Sequence, residues 1–251
     1  MNHANAEIKK PSIPDNLPTR SSSRDALLSA AGLLFTERGY DGVSTREIAE
    51  QAGVNLALIQ YHFRSKANLF LETVDHLTDS SSDLHTRLRP MPEIATAEQG
   101  AIELTYFIRD FLTFLIQSAE AHSSCRLIYR ELFSGNTNPS SAKDSEAFES
   151  VVKFITDRHI KPIEERVGRL ICFIFPEIET TTLSSNVRSV IGQCSFYATH
   201  RPIISKLESS PLESDESCNR LSCSIAKFSL RGLGCSEKII KRSLLEVFGK
   251  I

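Results

Sequence analysis

Apolar residues recur along this chain at spacings of three and four, and no period-two alternation persists anywhere. In "SSSRDALLSAAGLLFTERG" (21–39), Ala26, Leu27, Ala30, Ala31, Leu34 and Phe35 form one stripe of a helix. Ser21, Ser22 and Ser23 offer N-cap hydroxyls, and Gly39 ends the segment. After the turn "YDGVS", residues 44–53 open with a capping box. Ser44 caps while Glu47, three residues on, reaches back. Ile48 and Ala49 face inward, and Gly53 stops this second helix. Asn55 caps a third, near 55–63. Ser65 caps a fourth, whose pattern runs through Leu69, Phe70, Thr73, Val74 and Leu77.

The polar runs "DSSSD" and "RPMPE" mark a boundary near 80–93. Beyond it, "TAEQGAIELTYFIRDFLTFLIQSAEA" (96–121) is apolar on nearly every face, the pattern of a helix buried on most sides. Helical patterns follow at 125–134, 143–175, 180–200, 218–234 and 236–249, with polar loops at 135–141 and 208–217. Pro162 is expected to kink or break the long pattern, since it lacks an N–H and clashes with the preceding turn. Pro202 starts a short helix. The expected fold class is all-α. A disordered arm covers 1–20, a three-helix helix-turn-helix domain 21–78, and a helical bundle 79–251.

Composition narrows the class. The chain has 251 residues, 41% apolar and 24% charged, which is ordinary for a globular protein with a sizeable core. No apolar run reaches the length of a membrane helix. The first residues hold three prolines and no apolar h-region, so they read as an arm rather than a secretory signal, and a cytoplasmic location is expected. Cysteines at 125, 172, 194, 218, 223 and 235 form no C-x-x-C pair and are expected as free thiols. Cys218, Cys223 and Cys235 lack the His or carboxylate that completes a metal-ligand spacing, so neither metal nor cofactor is expected. The histidines are scattered, and H-E-x-x-H, a Gly-rich phosphate loop and a Ser–His–Asp order with a nucleophile elbow are missing. An enzyme is not expected.

Net charge is −2. Residues 21–78 carry five Lys and Arg against seven Asp and Glu. A nucleic-acid partner therefore has to be argued from where the cations lie, not from their number.

Ala49, Gly53 and Ile59 stand four and six residues apart, the offsets of a helix-turn-helix. The first helix needs a small residue where the backbones cross, and the turn needs one tolerant of positive φ. The second helix needs an apolar residue against the first. With Leu58, Ile59 and His62 or Phe63 inward, Asn55, Leu56, Ala57, Gln60 and Tyr61 face out. Gln60 matches adenine, and Leu56 and Ala57 match a thymine methyl. Tyr61 reaches a phosphate. Lys66 starts the next helix, and Thr45 and Arg46 start the preceding one, where free N–H groups and the helix dipole favour an anion. The candidate DNA-binding residues are Thr45, Arg46, Asn55, Leu56, Ala57, Gln60, Tyr61, His62 and Lys66. The plainer reading is that 44–66 is a compact helical core and nothing more.

Residues 24–75, carried by "ALLSAAGLLFTERGYDGVSTREIAEQAGVNLALIQYHFRSKANLF", resemble the DNA-binding domain of the TetR/AcrR family of bacterial regulators. One departure is Gln60, where many members hold a second aromatic, and a change in the base that is read is expected from it. "CRLIYRELFSGNTNP" (125–139), "IKPIEERVGRLI" (160–171) and "SVIGQCSFYATHRPII" (189–204) resemble the ligand-binding domain of the CecR-like subgroup. The resemblance implies an all-α homodimer that represses transcription from double-stranded operator DNA and releases it when a small molecule binds. It also implies a dimer interface built from about 180–199 and 218–233. Gly192 and Ser195 suit close helix approach there, and Val187, Val190, Ile191, Cys194, Ile225, Phe228 and Leu230 would supply apolar surface. Those residues equally suit the core of a single protomer. Candidate effector-pocket residues are Tyr106, Arg109, Arg126, Tyr129, Arg130, His159, Gln193 and Tyr197, with core packing or an ion-pair network as the alternative. The competing function is a helical protein that binds a small molecule or partner without operator binding.

Overall fold

The computed structural model describes residues 20–79, 88–118, 127, 142–207 and 210–249, and every regular element among them is helical. The arm at 1–19 lies outside the described residues, as does nearly all of the pattern at 125–134, including Arg126, Tyr129 and Arg130. The N-terminal helices are α1 (Arg20–Arg38), α2 (Thr45–Gln51), α3 (Ala57–Phe63) and α4 (Lys66–Asp79). Then follow α5 (Ala97–Gln117), α6 (Ala142–Ile155) and α7 (Lys161–Ile174). The chain closes with α8 (Thr180–Thr199), α9 (Arg201–Leu207), α10 (Asp215–Gly232) and α11 (Glu237–Phe248). Among the described residues no helix is long and apolar enough to cross a membrane.

Two hydrophobic cores organise these helices. The first joins α1 to α4 through Phe35, Phe63 and Phe70, all fully buried. Phe35 and Phe70 meet edge to face at 5.1 Å, and Tyr40 stacks beside them. Burying each phenyl ring contributes about 1.5–3 kcal/mol. The second core surrounds α5, which α7, α8, α10 and α11 enclose. Leu104, Phe107, Ile108, Phe111 and Leu112 are buried along it, as the pattern at 96–121 requires. Its start is set by a second capping box, Thr96 with Gln99. Gly100 is needed for contact with α7. A β-carbon there would sit 3.1 Å from Ile174 Cγ1 and 3.2 Å from Phe173 Cβ.

The long pattern around Pro162 is resolved in an instructive way. α6 runs into a π-helical turn, Thr156–Ile160, and α7 continues from it with Pro162 in its first turn. The Lys161 amide bonds the Thr156 carbonyl, five residues back. A proline in the first helical turn forfeits a bond that is unmade there anyway, so a wide turn before it absorbs the strain. The two halves of this rod belong to different cores. Val151 and Ile155 of α6 join the α1–α4 core together with Leu127, while Val167, Leu170 and Ile171 of α7 join the core around α5. Arg158 ties the junction to α4 by donating to Asp75 at 3.2 Å.

Candidate nucleic-acid interface

The N-terminus of α2 is anchored by its side chains. Ser44 Oγ accepts from the Glu47 amide at 3.2 Å, and Glu47 accepts from the Ser44 amide at 2.8 Å and hydroxyl at 2.7 Å. Arg38 donates to the second Glu47 oxygen at 2.9 Å. The Ser44 hydrogen bonds, with help from Arg38, pull the Glu47 carboxyl from 4.5 down to about 2. Thr45 and Arg46 therefore begin a helix whose end is fixed. Arg46 is exposed and donates to Glu50 at 3.0 Å.

Gly53 makes the turn. Its φ is 66°, and nothing lies within 4 Å of where a β-carbon would be, so backbone conformation and not space requires glycine. Val54 N–H closes on the Ala49 carbonyl at 3.0 Å. Asn55 Oδ1 then accepts from Ala57 N–H at 2.8 Å, satisfying the first amide of α3 from one residue before the N-cap position, which Leu56 takes without a side-chain bond. Ile59 and Phe63 are buried on the inner face, and Leu58 packs beside them. The outer face carries Leu56 (46% exposed), Ala57, Gln60 and Tyr61 (60% exposed). His62 is half-buried, its Nε2 3.0 Å from Ser23 Oγ, so it holds α3 against α1 instead of standing on the open face.

Sequence reading missed Arg64. It caps the C-terminus of α3 with φ 66° and ψ −31°, the one non-glycine residue with positive φ among the described residues. It is exposed and stands in the chain between α3 and the start of α4, where Ser65 Oγ caps the Asn68 amide at 3.0 Å. No glycine marks the position, so only charge and order along the chain pointed to it. Lys66, at the first residue of α4, sets its ammonium 4.2 Å from the centre of the Tyr40 ring. Arg24, Arg38 and Arg46 each pair with a glutamate. The cations closest in sequence to the outer face of α3 are thus Arg64 and Lys66.

In the C-terminal half the candidate pocket residues scatter. Tyr106 and Arg109 do come together, with the Arg109 guanidinium 4.9 Å and that of Arg89 3.6 Å from the Tyr106 ring centre. Arg109 is held by Asp110 at 2.7 Å. Burial pushes the nearby Glu103 carboxyl up, against the pull of Arg89 and Arg166. His159 packs edge-on against Phe154 in the π turn. Gln193 donates to Ser189 O and to Ser229 Oγ, both at 3.2 Å, bridging α8 to α10 inside one protomer. Tyr197 packs against the second core. None of these lines a groove of about 1010 Å³ that runs between α7 and α8 beside Ile94.

The expected apolar dimer surface needs correction. Val187, Val190, Cys194, Ile225 and Leu230 are buried in the protomer's own core, and Ile191 packs against it. Phe228 alone of that set stands open, 69% exposed, and Gly192 and Phe196 are also exposed on α8. Cys172, Cys194, Cys218, Cys223 and Cys235 are free thiols. Burial pushes the Cys194 thiol up to about 12 and Cys218 up to about 11, which makes both poor nucleophiles.

Two family models match this chain. The model of bacterial regulatory proteins of the tetR family covers residues 27–73, and that of the C-terminal domain of the HTH-type transcriptional dual regulator CecR covers 102–233. The chain is 31% identical over 112 residues to the probable HTH-type transcriptional regulator YttP of Bacillus subtilis, covering 44% of this chain and 51% of that one. It spans about half, or less, of the length of the curated relatives it matches. A TetR-like transcriptional regulator from Rhodococcus superposes with a TM-score of 0.57 at 17% identity, over 88% of this chain and all of that one. AibR, solved with isovaleryl coenzyme A and operator DNA, superposes with a TM-score of 0.52 at 13% identity, over 82% of this chain and 97% of the other. With matched models over both the helix-turn-helix and more than half of the chain beyond it, the protein belongs to the TetR family of bacterial transcription regulators, with a C-terminal domain of the CecR type.

Proposed function

We propose that this protein is a cytoplasmic homodimeric repressor. Each protomer lays α3 in the major groove of a pseudo-palindromic operator, and a small-molecule effector in the C-terminal domain releases it. The observation that carries this reading is the outer face of α3. Leu56, Ala57, Gln60 and Tyr61 stand exposed on a helix whose other side is fully committed to the core. A surface helix in a pure packing role has no use for that apolar-and-amide face, whereas base edges match it. On this reading Thr45, Arg46 and Lys66, at the capped starts of α2 and α4, meet phosphates on either side. Two such helices about one DNA turn apart read two half-sites. The effector shifts the balance only through its different affinity for the bound and released forms.

The test is a fluorescence-anisotropy titration against DNA upstream of the protein's own gene at ~0.1 M salt. Specific binding is expected. Gln60→Ala should relax preference at one base position by about 1–3 kcal/mol. Equal weakening on all sequences would remove Gln60 from base reading, and no specific binding to any genomic fragment would end the proposal. A second reading, a helical binding protein without an operator, is favoured by one observation. Three of the five cations at 21–78 are already paired with glutamates. Effector binding with unselective DNA affinity would support it.

A further inference from the structure

We propose that the groove between α7 and α8 binds an amphipathic anion, one apolar body bearing a single carboxylate or phosphate. As the effector site it rests on the regulatory reading above. The volume, about 1010 Å³, is at the upper end for a small-molecule site. Its walls are apolar, with Phe173 and Pro176 on one side and Leu183 and Val187 on the other. Gly168 keeps it open from below. A β-carbon there would meet only Val187 Cγ2, at 3.7 Å, so a larger side chain fits the helix and projects into the groove. Glycine is the poorest helix former after proline, and no close backbone contact calls for one at this position.

The rim decides the charge of the ligand. Arg188 is held by Glu164 at 3.2 Å. Lys161 is held chiefly by Asp157 at 2.5 Å, and Glu165, one turn on, adds a weaker pull on its ammonium. Arg169 is exposed and forms no hydrogen bond or ion pair with a described residue. An apolar trough with one uncommitted guanidinium at its edge matches an alkyl or aryl body with an anionic head, which the planar guanidinium holds through two hydrogen bonds. Cys172 lies in the groove, half-buried, one turn after Gly168. It reports occupancy directly.

The experiment uses the full chain and three probes that share one alkyl length: decanoate, decanol and decyltrimethylammonium. Alkylation of Cys172 by iodoacetamide is followed by peptide mass spectrometry, with buried Cys194 as the internal reference. Decanoate should slow Cys172 alkylation by about tenfold at roughly ten times its Kd, the factor by which the open form is depleted. Arg169→Gln should lose that protection, and Gly168→Leu should lose it by filling the groove. Equal protection by decanol or decyltrimethylammonium, or undiminished protection in Arg169→Gln, overturns the anionic class. Shielding of Cys172 in ligand-free protein that vanishes on dilution means a second copy fills the groove, and the proposal fails. Protection without any loss of operator affinity leaves the site standing and removes its role as effector site.

Discussion

Arg64 holds a left-handed backbone at the end of α3, φ 66°, where a β-carbon crowds the following carbonyl. A glycine would relieve that strain, yet the chain places a cation there. Arg64→Gly should therefore stabilise the protein by about 1 kcal/mol in denaturant unfolding. The same change should weaken operator binding on every sequence and flatten the salt dependence by about one unit per protomer. An unchanged salt slope would show that Arg64 touches no phosphate. Glu47 makes a second prediction at this scale. Its folded carboxyl sits near 2, below the ordinary 4.5. A depressed carboxyl contributes stability that is fully present above the unfolded value and is lost as pH falls through the folded one. Thermal unfolding between about pH 5 and pH 2 should thus lose less stability in Glu47→Gln than in the parent protein. Parallel curves for the two would mean that the capping box does not couple to folding.

At the scale of elements, local rules were legible and partners were not. Ser44 with Glu47, Gly53, Asn55 and Ser65 each act within a few residues, so the sequence states them in full, and the starts of α2, α3 and α4 follow. Val187, Val190 and Cys194 show the limit. A stripe at spacings of three and four says that one face of α8 is buried, but the same stripe serves a protomer's own core or a dimer. Gln193 was ambiguous for the same reason, because its partner Ser229 is 36 residues away. In the sequence the rod of α6 and α7 is one pattern with a kink at Pro162, and nothing local in it says that its two ends join different cores. That division has a measurable consequence. Ile155 is buried among residues of α1–α4, far upstream in sequence. Ile155→Ala should cost about 2–5 kcal/mol. In hydrogen exchange its effect should appear in α1 and α4 and spare α5. Faster exchange confined to α5 would place Ile155 in the wrong core.

For the whole molecule the decisive quantity is charge. The chain is net −2, and the cations beside the outer face of α3 reduce to Arg64 and Lys66. With Arg46 at the start of α2, three cationic phosphate contacts per protomer make six per dimer, so log K against log salt should fall with a slope of about −5, from about −0.9 per contact. A slope near −10 requires many more cations and would assign the binding to other residues. The figure depends on a dimer, and Phe228 offers the handle. Phe228 stands 69% exposed on α10, as Gly192 and Phe196 are exposed on α8, and we propose it as part of the contact with a second copy. Phe228→Asp puts a charge into that contact without touching either core. It should shift the protein to monomer in analytical ultracentrifugation and halve the salt slope to about −3, since one protomer then reads one half-site. A variant that stays dimeric would move the interface elsewhere. A variant that turns monomeric with the parent slope would mean that a single protomer already makes all the phosphate contacts.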